Sequence, residues 1–373
     1  MSTQVETGDP RAAKTARGSS PIVTSRKKKV TWKRRVEVIG FTVPALIVYV
    51  AFVFVPIGYA LVMSLFDGTP ISPFTNFVGF ENFTGIFTAE RQFGQPFFWD
   101  AVRNNLLIAV ASLAIQGPIA LGVALMLNRR LRFRRLIRLL IFVPYVLSEV
   151  ITGVIFAQIL NPNGALNYVL TEWLGLEGMR FFAWLGQVGD GGIGSATFWV
   201  VMAVLTWKYV GMAIILFMAG LAGVPEELTE AAAIDGASYW QIQRKVTVPL
   251  LGPTIRIWAF LSIIGSFQLF DMVWILFGGH TLLGQTGMHT MASYMVTMGM
   301  NRNMVGYGSA VAVLLFVFTL IVALIYQKFI LSRDLGSDSR AIRKADQKKA
   351  RADAKAAKIA ARELTAAETG QET

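Results

Sequence analysis

Glu230-Ala-Ala-Ala-Ile-Asp-Gly-Ala-Ser-Tyr-Trp-Gln-Ile-Gln-Arg-Lys-Val-Thr-Val-Pro249 is a polar, helix-forming stretch set between two long apolar segments. Its pattern is E-A-A, three residues, G, nine residues, then V-x-V-P. The surrounding loop, 223–253, reads as two short helices. Pro225 suits a first helical position, and Glu226 and Glu227 follow it at the positive helix end. Gly236 ends that helix at a position suited to left-handed dihedrals. Ser238 and Gln241 have the S-x-x-Q spacing of a capping box, which starts the second helix. Pro249 and Pro253 mark the turn into the next apolar segment. Ala231, Ala232 and Ala233 make a smooth face that can enter a groove closely. Ile234, Ala237, Tyr239 and Trp240 offer more apolar area than a free loop needs. Taken alone, such a loop also fits an amphipathic element lying on lipid headgroups.

The segments on either side identify the solvent. The chain has 373 residues, of which 54% are hydrophobic and 16% charged. Mean hydropathy is +0.52. Soluble domains carry about 25% charged residues, so membrane spans account for the length better than two or three soluble domains. A span needs about 20 mostly apolar residues to cross roughly 30 Å of hydrocarbon. Six segments qualify: 38–65, 102–127, 138–160, 196–222, 252–277 and 306–331. Each is expected to be helical, because backbone groups in lipid are satisfied within the segment. The fold class is therefore an all-α membrane protein of six transmembrane helices.

Charge orients the spans. Arg26, Lys27, Lys28, Lys29, Lys33, Arg34 and Arg35 precede the first span. Arg129, Arg130, Arg132, Arg134, Arg135 and Arg138 fill the loop between spans two and three. Arg244, Lys245 and Arg256 mark the 223–253 loop, and the C-terminal tail is again basic. The alternate loops hold only Arg91, Arg103, Arg180 and Arg302. Both termini are thus expected in the cytoplasm. The same distribution explains the net charge of +12 without a nucleic-acid partner. Residues 1–36 read as a disordered basic tail, 37–332 as the membrane domain, and 333–373 as a charged tail rich in Ala, Lys, Glu and Asp. The first 37 residues show no short apolar core with a small-residue cleavage site, so no cleaved signal peptide is expected.

The chain has no cysteine and two histidines, His280 and His289, which excludes disulfides and thiolate metal sites. No metal site and no cofactor is expected. The sequence holds no G-x-x-x-x-G-K-[ST] phosphate cradle and no G-x-S-x-G elbow, so any energy comes from a partner. Three ionisable residues lie well inside the spans: Glu149, Lys208 and Asp271. At about 1.5 Å per residue, Glu149 lies roughly 16 Å from the inner end of span three and Lys208 roughly 18 Å from the outer end of span four. At matching depths the two are expected to face the interior and pair, either fixing the bundle or lining a pathway. Asp271, with Gln268 one turn before it, either touches a hydroxylated substrate or caps its helix. Trp207 and Tyr209 flank Lys208. Met288, Met291, Met295, Met298, Met300 and Met304 cluster before the last span, as adaptable packing.

The Glu230–Pro249 pattern resembles the EAA loop of permease subunits of binding-protein-dependent ABC importers. Further fragments follow in the family's order. Gly79-Phe80-Glu81-Asn82-Phe83 is similar to its G-L-x-N-Y/F element. Asn104-Asn105 stands where the family has Asn-Thr, so Asn105 departs from it. Asn161-Pro162-Asn163-Gly164-Ala165-Leu166-Asn167 resembles N-P-x-G-x-x-N. Ala219 to Leu228 resembles the approach to the loop in sugar permeases, Gly278-Gly279-His280 stands where many have G-G-P, and Gly306-Tyr307-Gly308-Ser309-Ala310 is similar to the start of their last span.

This resemblance, over residues 38–332, is to carbohydrate-importer permeases of the maltose and glycerol-phosphate type. It implies a type I ABC importer permease in a bacterial plasma membrane. It also implies a second homologous permease subunit, two ATP-binding subunits on the cytoplasmic side, an extracytoplasmic sugar-binding protein and a carbohydrate substrate. Glu230, Ala231, Ala232, Asp235, Gly236 and Pro249 would carry the ATPase contact.

Two other classes were weighed. A stand-alone secondary transporter is expected to show internal repeats and its own ion-coupling residues, and it leaves the E-A-A loop unexplained. A membrane-bound enzyme needs a convergent set of acids, bases or metal ligands, and the candidates here are too few and scattered.

Overall fold

The computed structural model describes residues 32–90, 97–129, 132–161, 163–175, 192–279 and 286–331, with Gln347 alone beyond them. Residues 1–31, Arg91, Arg180, His280 and the C-terminal tail apart from Gln347 lie outside the described residues. Two compact units divide at Pro56 and Ile57. The described part of the first, from Trp32, is helix, apolar from Ile39 on, with Phe41 and Phe52 among its exposed side chains. That surface suits lipid, where association rests on packing and small residues rather than on hydrophobic burial.

In chain order, α1 (Ile39–Met63) is a long apolar helix. A short hairpin follows, Phe66–Asp67 paired antiparallel with Asn76–Phe77, and then α2 (Glu81–Thr88). Next come α3 (Phe98–Leu127), α4 (Arg134–Val146), α5 (Glu149–Ile159), α6 (Ala165–Tyr168) and α7 (Ala196–Leu221). The loop helices are α8 (Glu226–Ile234) and α9 (Tyr239–Leu250). The chain continues through α10 (Gly252–Gln268), α11 (Asp271–Leu276), α12 (Met291–Val296) and α13 (Val305–Ile330).

Four helices, α1, α3, α7 and α13, are each long and apolar enough to cross a membrane. Two bent pairs complete the set: α4 with α5 at 95°, and α9 with α10 at 65°. Counting each bent pair as one span gives six, the number expected, although the second pair begins at Tyr239 in the loop rather than at 252.

Spans three and five are not the single helices expected over 138–160 and 252–277. Pro144 lies inside α4, where it removes one backbone donor. Three residues on, Leu147 and Ser148 are extended, and the helix restarts at Glu149. In span five, Leu269 and Phe270 leave the helical region, and α11 starts at Asp271. Each restart places a carboxylate in the first turn, where the helix dipole favours it. Hydropathy averages over such breaks because the residues on both sides remain apolar. Glu149 does not sit at the depth a straight span would give it, because the chain turns by 95° between α4 and α5.

Close approach between elements depends on a few glycines. A Cβ at Gly211 in α7 would stand 2.2 Å from the Ile141 carbonyl oxygen of α4. One at Gly153 in α5 would stand 2.9 Å from Ile275 of α11. So α5 and α11, the two helices that follow the breaks, pack side by side. The apolar core beneath them joins Phe198, Val201 and Leu205 of α7 to Met272 and Val273 of α11.

Candidate functional site

Two regions gather the residues singled out by sequence. The first is the loop from Gly223 to Pro253. Pro225 is the residue before the helix rather than its first member, and α8 begins at Glu226. Gly236 has φ +80°. Its N–H donates to the Ala233 carbonyl at 3.0 Å, and the Ala237 N–H donates to the Ala232 carbonyl at 3.0 Å. These two bonds form a Schellman closure, which requires a left-handed residue at the glycine. The next residue starts α9 with the expected capping box. The Ser238 hydroxyl accepts from the Gln241 N–H at 3.4 Å, and the Gln241 side chain accepts from the Ser238 N–H at 2.7 Å.

Glu230, Ala231, Asp235, Gly236 and Pro249 are exposed along this element, and Ala232 is half-buried. Ile234 is 86% and Trp240 74% exposed. A hollow of about 410 Å³ between the two helices is lined by Ala232, Asp235, Gly236, Gln241 and Lys245 among others. Tyr239 is turned inward instead. Its ring lies 3.7 Å beneath the Arg129 guanidinium, and its hydroxyl reaches the Leu125 carbonyl at 3.5 Å. Sequence reading assigned Tyr239 to the loop's contact surface. The structure makes it the tie between the loop and the end of α3.

The second region is a cavity of about 770 Å³ in the helical body, lined by α3, α5, α7, α10, α11 and α13. Its polar lining includes Ser112, Gln116, Glu149, Tyr209, Gln268 and Asp271, within a mostly apolar wall. Ser112 and Gln116 come from a π-helical turn within α3, a feature frequent at functional sites. Trp258 and Phe260 add aromatic surface.

Glu149, Gln268 and Asp271 thus share one chamber. No ion pair within 4 Å joins Lys208 to Glu149. The Lys208 ammonium donates to the Leu147 carbonyl at 2.5 Å, and the Tyr209 hydroxyl donates to Glu149. The contact is less direct than a bonded ion pair, with the carboxylate still acting on the lysine electrostatically. The reason is the helix break, which frees a carbonyl for the lysine and turns the carboxylate toward the next residue of α7. Trp207 packs edge-on against Phe156, with ring centroids 5.1 Å apart.

The remaining motif fragments are structural ties. Asn82 donates to the carbonyls of Ser64 and Phe66. Asn104 donates to Gly287 and His289, and Asn105 links the Ser266 carbonyl to the Met291 N–H. Gly306 backs onto the Phe66 carbonyl, where a Cβ would stand 1.8 Å away. The methionine cluster divides: Met288, Met291 and Met298 are buried within the fold, whereas Met300 and Met304 are exposed.

Four long apolar helices with two bent pairs, a mostly apolar cavity with a polar wall, and an exposed helix–Gly–helix loop fit a multi-pass membrane transport component. Residues 116–333 match the family described as the binding-protein-dependent transport system inner membrane component, and the chain belongs to that family. It is 36% identical over 261 residues to the diacetylchitobiose uptake system permease protein NgcF of Streptomyces coelicolor, covering 67% of this chain and 69% of the relative. It is 28% identical over 286 residues to the trehalose/maltose transport system permease protein MalF of Thermococcus litoralis, covering 76% and 90%. A solved bacterial ABC transporter for import of the acidic polysaccharide alginate has a chain of the same fold. Its TM-score is 0.67 at 21% identity, over 80% of this chain and 96% of that one.

Proposed function

We propose that this chain is the transmembrane subunit of an ATP-driven carbohydrate importer. It forms half of the translocation pathway with a second, homologous permease, and the 223–253 loop seats in an ATPase subunit. The loop carries the proposal. Its backbone is closed by capping at both helices, yet Ile234 and Trp240 are left as exposed apolar side chains on a polar element. A rigid element with uncovered apolar area suits a docking partner. Tyr239 then carries motion of the loop to the end of α3, whose π-helical turn borders the cavity. Glu230, Ala231, Ala232, Asp235, Gly236 and Pro249 form the contact surface.

The Lys and Arg distribution supports a cytoplasmic position for this loop and for both termini. Relatives named for diacetylchitobiose uptake and trehalose/maltose transport support a sugar. So does the chamber: carboxylate and amide acceptors beside aromatic surface suit a hydroxylated ligand. Gln268 and Asp271 are the proposed substrate contacts, with Glu149 on the same wall. A sugar-binding protein delivers the ligand from the opposite side, and ATP binding and hydrolysis belong to the partner.

The test is co-purification with the neighbouring permease, ATPase and binding protein, followed by uptake of labelled neutral oligosaccharides into proteoliposomes. Uptake that requires ATP inside and loaded binding protein outside is the expected result, and the accumulated sugar identifies the substrate. Uptake that ignores ATP and follows an ion gradient defeats the proposal.

A further inference from the structure

The two helix breaks are closed in the same way, by a buried side chain from another element. A carbonyl freed inside a membrane domain must find a donor. At the first break the donor is the Lys208 ammonium, 2.5 Å from the Leu147 oxygen, on a residue only 3% exposed. At the second it is the buried Thr290 hydroxyl, 2.7 Å from the Leu269 oxygen. Two residues beyond each capped carbonyl stands a carboxylate, Glu149 or Asp271, and both line the cavity.

The grip on the first break is extensive. Lys208 holds its carbonyl, Tyr209 holds Glu149, and Gly211 lets α7 approach the Ile141 backbone just before it. Lys208 itself is not part of the cavity wall. A lysine serving only as counter-ion would be expected to meet the carboxylate, and here it meets the carbonyl.

We infer that Lys208 is a positioning residue for transport: by capping the Leu147 carbonyl it fixes the break in span three and so presents Glu149 to the substrate chamber. This rests on the proposed reading of the cavity as the sugar path. Glu149 is then the group that meets the sugar, as an acceptor for its hydroxyls, and Lys208 acts only through it.

The experiment is a double-mutant cycle in the complete transporter, reconstituted with its ATPase and binding protein. The variants are Lys208→Met, Lys208→Arg, Glu149→Gln and the Met/Gln double. Assembly is measured by size-exclusion yield, and sugar uptake and basal ATP hydrolysis are measured per assembled complex. Lys208→Met and Glu149→Gln are each expected to lower uptake by about tenfold or more. The double variant is expected within about threefold of the worse single, because both changes remove one function. Lys208→Arg, which keeps a cationic donor, restores part of the loss.

Multiplicative losses in the double variant overturn the inference. So does a Lys208→Met protein that assembles poorly yet transports normally per complex, which is the mark of a purely structural lysine. If Lys208→Met does not assemble at all, the cycle is run with Lys208→Arg and Glu149→Gln and judged by the same additivity. A wild-type complex that moves no sugar defeats the importer reading itself, a result distinct from any outcome of the cycle.

Discussion

The C-terminus of α8 is closed by Gly236 and Ala237, whose N–H groups reach back three and five residues to Ala233 and Ala232. The open carbonyl at Leu147 is closed by Lys208, 61 positions along the chain. Both regions interrupt a helix and leave backbone groups to satisfy, but they satisfy them over different distances. The loop carries its own instructions and is rigid before any partner arrives. The break has its open carbonyl satisfied only by a side chain of α7. A local closure makes a transferable docking element. A long-range closure makes a feature that depends on the whole bundle, and it can hold a carboxylate where a lone helix would not.

Substitutions that separate these two modes sharpen the comparison. The largest effect is expected from Gly236→Pro. Proline fixes φ near −65° where the backbone stands at +80°, and it removes the N–H bonded to Ala233. Sugar-stimulated ATP hydrolysis is expected to fall to the basal level while the permease still inserts and melts normally, as read by hydrolysis assays and thermal scanning in detergent. A large fall in melting temperature would show that the loop is not self-contained.

Gly211→Val tests the opposite side. Its Cβ would meet the Ile141 oxygen at 2.2 Å, and overpacking of this kind costs roughly 1–3 kcal/mol. Melting is expected to fall and uptake with it, whereas purified ATPase should still bind the 223–253 loop. A Gly211→Val protein of unchanged stability would refute the close α4–α7 contact.

Tyr239→Ala lies between the two regions, since it cuts the tie to Arg129 and α3. The cation–aromatic contact is worth about 0.5–1 kcal/mol at a partly exposed site. ATPase binding is expected to persist with sugar-stimulated hydrolysis reduced severalfold, measured by pull-down and hydrolysis together. Loss of binding in the pull-down would place Tyr239 on the docking surface instead.

Ser238→Ala should have the smallest effect, about 1 kcal/mol of helix stability, seen as faster hydrogen exchange over 239–242 with transport little changed. Unchanged exchange there would count against the capping box.

The same contrast governs what could be read from the chain alone. The glycine closure, the Ser238–Gln241 box and the E-A-A pattern obey rules that act within five residues, so the loop was legible almost to the residue; Pro225 was one position early. Four spans were legible from length and hydropathy. The breaks at Leu147–Ser148 and Leu269–Phe270 were not, since hydropathy is blind to the direction of an apolar helix and their donors, Lys208 and Thr290, come from distant segments. Lys208, Glu149, Gln268 and Asp271 were found because charge and amide groups in a span stand out. That three of them share one chamber, and that Lys208 binds a carbonyl, followed only from the fold. Asn104 and Asn105 carried a signal too: two adjacent amides at the start of a span, which prove to tie α3 to the segment before α12.

The central claim is that a separate ATPase drives this chain through the 223–253 loop. Its most direct test is ATP hydrolysis by the complete assembly in lipid nanodiscs, with and without sugar-loaded binding protein. The account predicts that the loaded binding protein raises hydrolysis severalfold above the unloaded one. An ATPase that does not associate with the chain, together with sugar uptake driven by an ion gradient alone, would contradict it.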